Sequence, residues 1–411
     1  MEQIFGRLRN AEFESSSIVG DRRIGKTSLL NHLADPAVRE AHGLAVASYT
    51  FVYADLQMVD ELMGPEQLWR RLLGSLRERC QDNAVMAAIS DLLGRQGLGL
   101  FDLDEFFQKV DDLGRYVVFL LDEFDRVTTN ANFGPDFYFG FRSLAIHHNV
   151  ALVTSSRLEL VELCHSEAVR SSPFFNIFAN INLRMFSPAD FSALLSESLR
   201  ETGTTFLAEE IAQVLDLAGL HPYFVQAACC LLYEAHRQGL DAAARCDSLT
   251  ERFEVEAVPH LVDFWSNSGD HEKIVLTAAA LLERQSGRAA GFTVGDLRRV
   301  FSRAEPSVAR LEKRGLLMRS GGGYTLFSSV LGPWIIHQIA AELGEEQSYP
   351  EWLAQNKGAK ERVKGRQGRP LKDVLPRIGT RYRQLILTWA SDPQSVAAMA
   401  SLLNTALSKV G

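Results

Sequence analysis

The run Gly20-Asp21-Arg22-Arg23-Ile24-Gly25-Lys26-Thr27, followed by Ser28, fits the spacing G-x-x-x-x-G-K-[ST] in full. That spacing suits a cradle for phosphate. Glycines let backbone N–H groups turn inward around phosphate oxygens, and a helix opening at the end of the loop adds the positive end of its dipole. Lys26 is placed to supply a point charge to the β- and γ-phosphates, and Thr27 to offer its hydroxyl to Mg2+. About 95 residues further on, the apolar run VVFLLDEFD ends in Asp122-Glu123. Carboxylates at the carboxyl end of a buried parallel strand face the ligand crevice. Asp122 is therefore expected to hold Mg2+ through water, and Glu123 to polarise an attacking water. A third apolar run ends LVTSSR, where Ser155 or Ser156 would bind the water and Arg157 the phosphate.

These residues need a frame that brings strand ends together. Strand-like runs occur at 17–20, 47–56, 116–124, 150–156 and 178–186, with helical stretches such as Gln67 to Cys80 and Asp102 to Leu113 between them. Alternation of this kind, with nearly continuous apolar strands, predicts an α/β fold whose parallel sheet is covered on both faces. The phosphate loop follows the first strand and opens the helix TSLLNHL, the context the motif requires. An extra strand between the loop and Asp122, with a glutamate beside the aspartate, resembles the additional-strand, catalytic-glutamate branch of P-loop ATPases.

After this core, placed over 1–186, the texture changes. Ser187-Pro-Ala-Asp opens a helix with proline in its first turn, and helical spacing continues to about 268, a small helical lid. Three helices within 269–341 precede GLLMRSGGGYTLFSS, which reads as strand, Gly-rich turn and strand, so a winged helix is expected there. A polar linker over 342–373 carries the basic run KGAKERVKGRQGRPLK. A C-terminal helical segment over 374–411 follows, with a greasy face built from residues such as Leu385, Trp389, Met399 and Leu403. No repeat of solenoid length is visible.

Composition sets outer bounds. The 411 residues are 46% hydrophobic and 23% charged, ordinary for a globular chain. A net charge of -8 argues against whole-surface attraction to nucleic acid. The five cysteines form no C-x-x-C pair, which fits a reduced, cytoplasmic setting. The charged N-terminus is no signal peptide, and no run of 18 apolar residues spans a membrane.

Taken together, IFGR before the loop, GDRRIGKTSLL, LLDEFD, VTSSR and the later GLHPYFVQ resemble the STAND class of signal-transducing P-loop ATPases, relatives of AAA+ proteins. The resemblance covers roughly residues 4–340. It implies that Gly6 and Arg7 lie near the adenine, that Pro222 packs on the base with His221 near the sugar or phosphates, and that Arg157 senses the γ-phosphate. Read from the residues alone, His221 is equally a helix-boundary histidine. The sequence departs from the family pattern in two places. Leu8-Arg9-Asn10 follows Gly6-Arg7 where a glutamate is usual, and the few residues before Ser17 leave no helix ahead of the first strand. The adenine side is thus expected to be built differently, and nothing is expected to fold in the 16 residues before Ser17, so an effector would act in trans.

The resemblance implies a cytoplasmic ATP/ADP-dependent switch that binds ATP with Mg2+, hydrolyses it slowly, and controls oligomerisation or recruitment of an effector, in signalling or defence. The partner side would use 374–411, and the ATP state would assemble a homo-oligomer. A second reading is an initiator-like or transposition-type AAA+ ATPase whose winged helix grips DNA through Arg310, Lys313 and Arg314; Glu305 and Glu312 on the same stretch weigh against it. A third is a nucleotide-bound scaffold that does not hydrolyse.

Overall fold

The computed structural model describes residues 1–342. Beyond Glu342, the expected linker and the C-terminal helices over 374–411 lie outside the described residues. The chain divides into two compact units, the first Met1–Leu183 and the second beginning at Arg184.

The first unit runs α1 (Glu2–Leu8), β1 (Ser16–Val19), α2 (Lys26–Ala34), α3 (Pro36–Ala41), β2 (Tyr49–Asp55), α4 (Pro65–Arg79), α5 (Asn83–Leu93), α6 (Leu100–Asp112), β3 (Tyr116–Asp122), α7 (Asp125–Thr128), α8 (Pro135–His147), β4 (Val150–Ser156), α9 (Glu167–Arg170) and β5 (Ala179–Asn182). All five strands are parallel, in the order β2-β3-β4-β1-β5. The strands begin and end within a few residues of the expected positions.

Strand alternation explains the two cores. On β3, Val118 and Leu120 join Ile18, Leu30, Leu33, Ala151 and Val153 in one core, while Val117, Phe119 and Leu121 join helices α4, α5, α6 and α8 in the other. A strand buried on both faces must be apolar at successive positions, and VVFLL meets that demand. The next residue in the Val118 and Leu120 series is Asp122. The packing of that face against α2 therefore carries Asp122 to the helix that begins with Lys26.

The first helix corrects one expectation. Glu2–Leu8 folds ahead of β1 and buries Ile4, Phe5 and Leu8 in the α2-side core. Three apolar residues outweigh the charges that made this stretch read as a polar lead-in.

At the opposite end of the sheet, His148 locks α6 to the start of β4. Its Nδ1 lies 2.7 Å from Asp111 and its Nε2 3.0 Å from Asp104, and its side chain is 3% exposed. Burial alone would push this imidazole toward the neutral form, but hydrogen bonds and charge from Asp104 and Asp111 outweigh it and raise the pKa. A His whose pKa is raised on folding gives stability that is present below about pH 6.5 and lost as pH rises through the folded value. Thermal unfolding should accordingly show a higher midpoint at pH 6 than at pH 8, and His148→Gln should flatten the difference; an equal slope in both proteins would contradict the assignment.

The second unit holds α10 (Pro188–Leu199), α11 (Ala208–Ala218), α12 (Pro222–Arg237), α13 (Ala242–Ser266), α14 (Asp270–Ser286), α15 (Val294–Val300), α16 (Ala304–Lys313), the antiparallel strands β6 (Leu317–Ser320) and β7 (Gly323–Leu326), and α17 (Leu331–Glu342). Helices α14, α15 and α16 followed by a hairpin have the element order expected of a winged helix. One hydrophobic core joins α11 and α12 to the hairpin, running from Phe191 to Ile335. The packing is tight at Gly219, whose φ of +58° places a hypothetical Cβ 2.2 Å from the Phe327 carbonyl oxygen. Only glycine fits there. Among the described residues no helix is long and apolar enough to cross a membrane.

Candidate functional site

The loop between β1 and α2 is shaped by its glycines. Gly25 adopts φ +103° as the residue before α2, and at Gly20 a Cβ would stand 2.8 Å from Ile24 Cγ2. Arg23 also has positive φ, at 59°. The Gly20 amide donates to Ser156 O at 3.1 Å, which ties the loop to the end of β4. Asp21 and Ile24 face inward and are buried, whereas Arg22, Arg23, Thr27 and Ser28 are exposed. Asp21 Oδ1 accepts the Arg22 amide at 2.9 Å. No side chain caps α2, so its first N–H groups stay available at the loop.

Lys26 is 6% exposed, and its Nζ donates to the carbonyls of Gly20 at 2.9 Å and Asp21 at 3.1 Å. Burial lowers its pKa, opposed by the nearby charges of Glu123, Asp21, Asp125 and Asp122. Four acids thus surround one ammonium, and the charge is held in place while partly stripped of water.

Asp122 is 3% exposed and fully engaged. Its Oδ2 accepts from Thr27 Oγ1 at 2.7 Å and from the Tyr53 hydroxyl at 3.0 Å. Its Oδ1 accepts from Ser155 Oγ and from the Glu123 amide, the latter at 3.1 Å. The Glu123 amide also reaches Ser155 Oγ at 3.1 Å. Glu123 itself has φ +54°, rare for a residue with a side chain and worth about 1–3 kcal/mol of strain. The two acceptors of its N–H, together with the Phe124 amide bonded to Ser155 O at 2.8 Å, hold the turn in that shape. Burial raises the Glu123 pKa, reinforced by Asp125 and opposed by Lys26, with smaller contributions from Asp122 and Arg22. A half-buried carboxylate of raised basicity at a strand end has the make-up of a general base.

Lys26, Thr27, Asp122, Glu123 and Ser155 therefore lie together. Ser155, expected with Ser156 to bind the water, is fully buried, and its hydroxyl donates to Asp122. Ser156 is likewise buried and donates to Leu158 O at 2.6 Å. Arg157 follows at the half-exposed end of β4. Tyr53 is a site residue that sequence spacing does not single out. It lies within an expected strand, but its link to Asp122 depends on β2 lying next to β3, with Tyr53 in register with Leu120 and Asp55 with Asp122.

The remaining candidates are placed as follows. Gly6 lies on α1 with open space where a Cβ would stand. Arg7 clamps the turn into β1, donating to Ser15 O at 2.8 Å and pairing with Glu14 at 3.3 Å. Glu14, its partner, stands seven residues after Arg7. His221 and Pro222 belong to the second unit, where both are buried. His221 is 1% exposed, with the rings of Phe224, Phe264 and Phe327 between 5.1 and 5.8 Å away. Arg314 is engaged within the second unit, donating to Glu272 at 2.9 Å and Ser268 Oγ at 3.0 Å. Among the described residues there is no cluster of three or more His, Cys, Asp or Glu that could hold a metal ion on its own.

The chemistry of the donors fits a nucleoside triphosphate with a divalent cation: free helix N–H groups and Lys26 for phosphate, and a hydroxyl–carboxylate pair for the cation. Structural comparison gives the same fold. The Walker-type ATPase of Pyrococcus abyssi superposes with a TM-score of 0.51 at 14% identity, covering 82% of this chain and 95% of that one. The ORC2 protein of Aeropyrum pernix, solved in ADPNP–ADP complexes, superposes with a TM-score of 0.52 at 14% identity, covering 83% and 92%. No curated protein matches the chain. Residues 10–279 match the family model described as Novel STAND NTPase 2. That match takes in the phosphate loop, the Asp122-Glu123 strand end and the whole helical lid, and the chain is a P-loop NTPase that belongs to this STAND family.

Proposed function

We propose that the chain is a nucleotide-dependent molecular switch that binds ATP or ADP with Mg2+, hydrolyses ATP slowly, and couples the nucleotide state to oligomerisation or to recruitment of an effector. The observation that carries this reading is the hydrogen-bonded chain Thr27–Asp122–Ser155–Glu123 set beside Lys26 at the uncapped start of α2. Lys26 and the N–H groups of the loop bind the phosphates. Thr27 and Asp122 would hold Mg2+, which when bound offsets charge on the phosphate oxygens. Glu123 takes the proton of the attacking water, and its raised pKa suits it to that task. Arg157, next along the chain after β4, is the proposed γ-phosphate contact, with Gly6 and Arg7 on the adenine side.

Slow turnover is part of the same proposal, and what supports it is that four protein donors already hold Asp122, which Mg2+ and its water must share. The arrangement suits a molecule that resides in one nucleotide state and shifts population when the ligand exchanges. A DNA-gripping winged helix finds less support, because Arg314, one of its three cations, is committed to Glu272 and Ser268. Sedimentation of the full chain in ADP and in ATP with Mg2+ tests the switch. A change in mass or shape between the two is expected; identical profiles, with and without cell extract, would overturn it.

A further inference from the structure

Asp122 is the residue on which the cation side of the site turns, and it is buried. A buried carboxylate is tolerable only when donors satisfy both oxygens. Three of its four donors come from residues that the sequence motifs single out: Thr27 at the start of α2, Ser155 on β4 and the amide of Glu123. The fourth, Tyr53, comes from β2, the edge strand on the far side of β3 from the loop.

We propose that Tyr53 is a positioning residue for the cation: its hydroxyl fixes Asp122 Oδ2 in the orientation that turns the Thr27 oxygen toward Mg2+. The proposal rests on the nucleotide-binding reading above. The geometry is specific. Tyr53 and Leu120 are in-register neighbours, so a tyrosine leaning along its strand reaches the residue two further on in β3, which is Asp122. Phe51, two residues earlier on β2, lies in the core beneath α2, so this side of the strand is anchored against the loop helix. Tyr53 and Thr27 then approach the same carboxylate oxygen, at 3.0 and 2.7 Å. Thr27 has a single proton. While that proton is given to Asp122, the hydroxyl's lone pairs are free for a cation. Tyr53 holds the acceptor still, so that the Thr27 proton has a fixed direction. Without the tyrosine, Oδ2 keeps one donor in place of two, and Thr27 alone then fixes where that oxygen lies.

Partners that orient a metal's direct ligands are typically worth 10–100-fold in metal affinity. The test uses the full chain and a fluorescent ATP analogue. Mg2+ is titrated at fixed nucleotide in wild type and in Tyr53→Phe, which removes only the hydroxyl. The Mg2+ midpoint should rise roughly tenfold in the variant. Nucleotide affinity in EDTA should stay unchanged, while the thermal midpoint falls modestly because a buried carboxylate loses one donor. A merely structural tyrosine would lower the thermal midpoint and leave the Mg2+ midpoint alone, which would overturn the proposal. Tyr53→Leu provides the packing control: it should show the same Mg2+ shift, with added loss of stability. A wild type that binds nucleotide without any Mg2+ dependence would overturn the underlying reading as well. A Mg2+-dependent wild type matched by Tyr53→Phe would overturn the role of Tyr53 alone.

Discussion

Lys26→Ala should abolish high-affinity nucleotide binding while leaving the fold intact. Lys26 is held by two loop carbonyls and is nearly inaccessible to bulk solvent, so its charge acts on a phosphate through a partly desolvated medium. Truncating one partner of a buried, hydrogen-bonded charge pair costs about 2–5 kcal/mol. At about 1.4 kcal/mol per factor of ten, that is a loss of roughly 30- to several-thousand-fold in affinity. Lys26→Arg should not rescue it, since a planar guanidinium cannot take the place of a compact ammonium between the Gly20 and Asp21 carbonyls. Calorimetric titration of ATP and ADP against both variants checks this. Binding within threefold of wild type would remove Lys26 from the phosphate site.

Glu123→Gln should separate binding from turnover. Glutamine keeps the size and the positive-φ turn but cannot take up a proton. General-base catalysis is worth about 10²–10⁴-fold, so the hydrolysis rate should fall by a factor in that range. ATP affinity should be held or slightly increased, because a carboxylate near the γ-phosphate repels it and the amide does not. The variant should therefore accumulate the ATP-bound form, and the species seen with ATP and Mg2+ should persist in it. Single-turnover hydrolysis measures the first effect and sedimentation the second. Turnover equal to wild type would remove Glu123 as the base.

Much of this site is legible in the sequence because its residues sit at positions that the chain's own geometry fixes. The loop must follow a strand and open a helix, and Asp122 must end a buried strand; both constraints appear as apolar runs with polar tips. What is not legible depends on which strand lies next to which. Tyr53 meets Asp122 only because β2 flanks β3, and that neighbour leaves no local signature. Backbone strain is equally hidden. Nothing in LLDEFD announces that Glu123 has φ +54°, since the turn is imposed by hydrogen bonds to Asp122 and Ser155. Helix α1 escapes for another reason: Ile4, Phe5 and Leu8 make too short an apolar stripe for periodicity to register, yet tertiary burial fixes the helix. His221 shows the reverse. The GLHP motif draws attention to it, and the ring packing around it explains it equally well as part of the lid core.

If the chain is a switch resting in one nucleotide state, denaturing the freshly purified protein should release that nucleotide. ADP is expected, close to one per chain, and none from Lys26→Ala. Nucleotide-free wild type that binds neither ADP nor ATP on titration would contradict it.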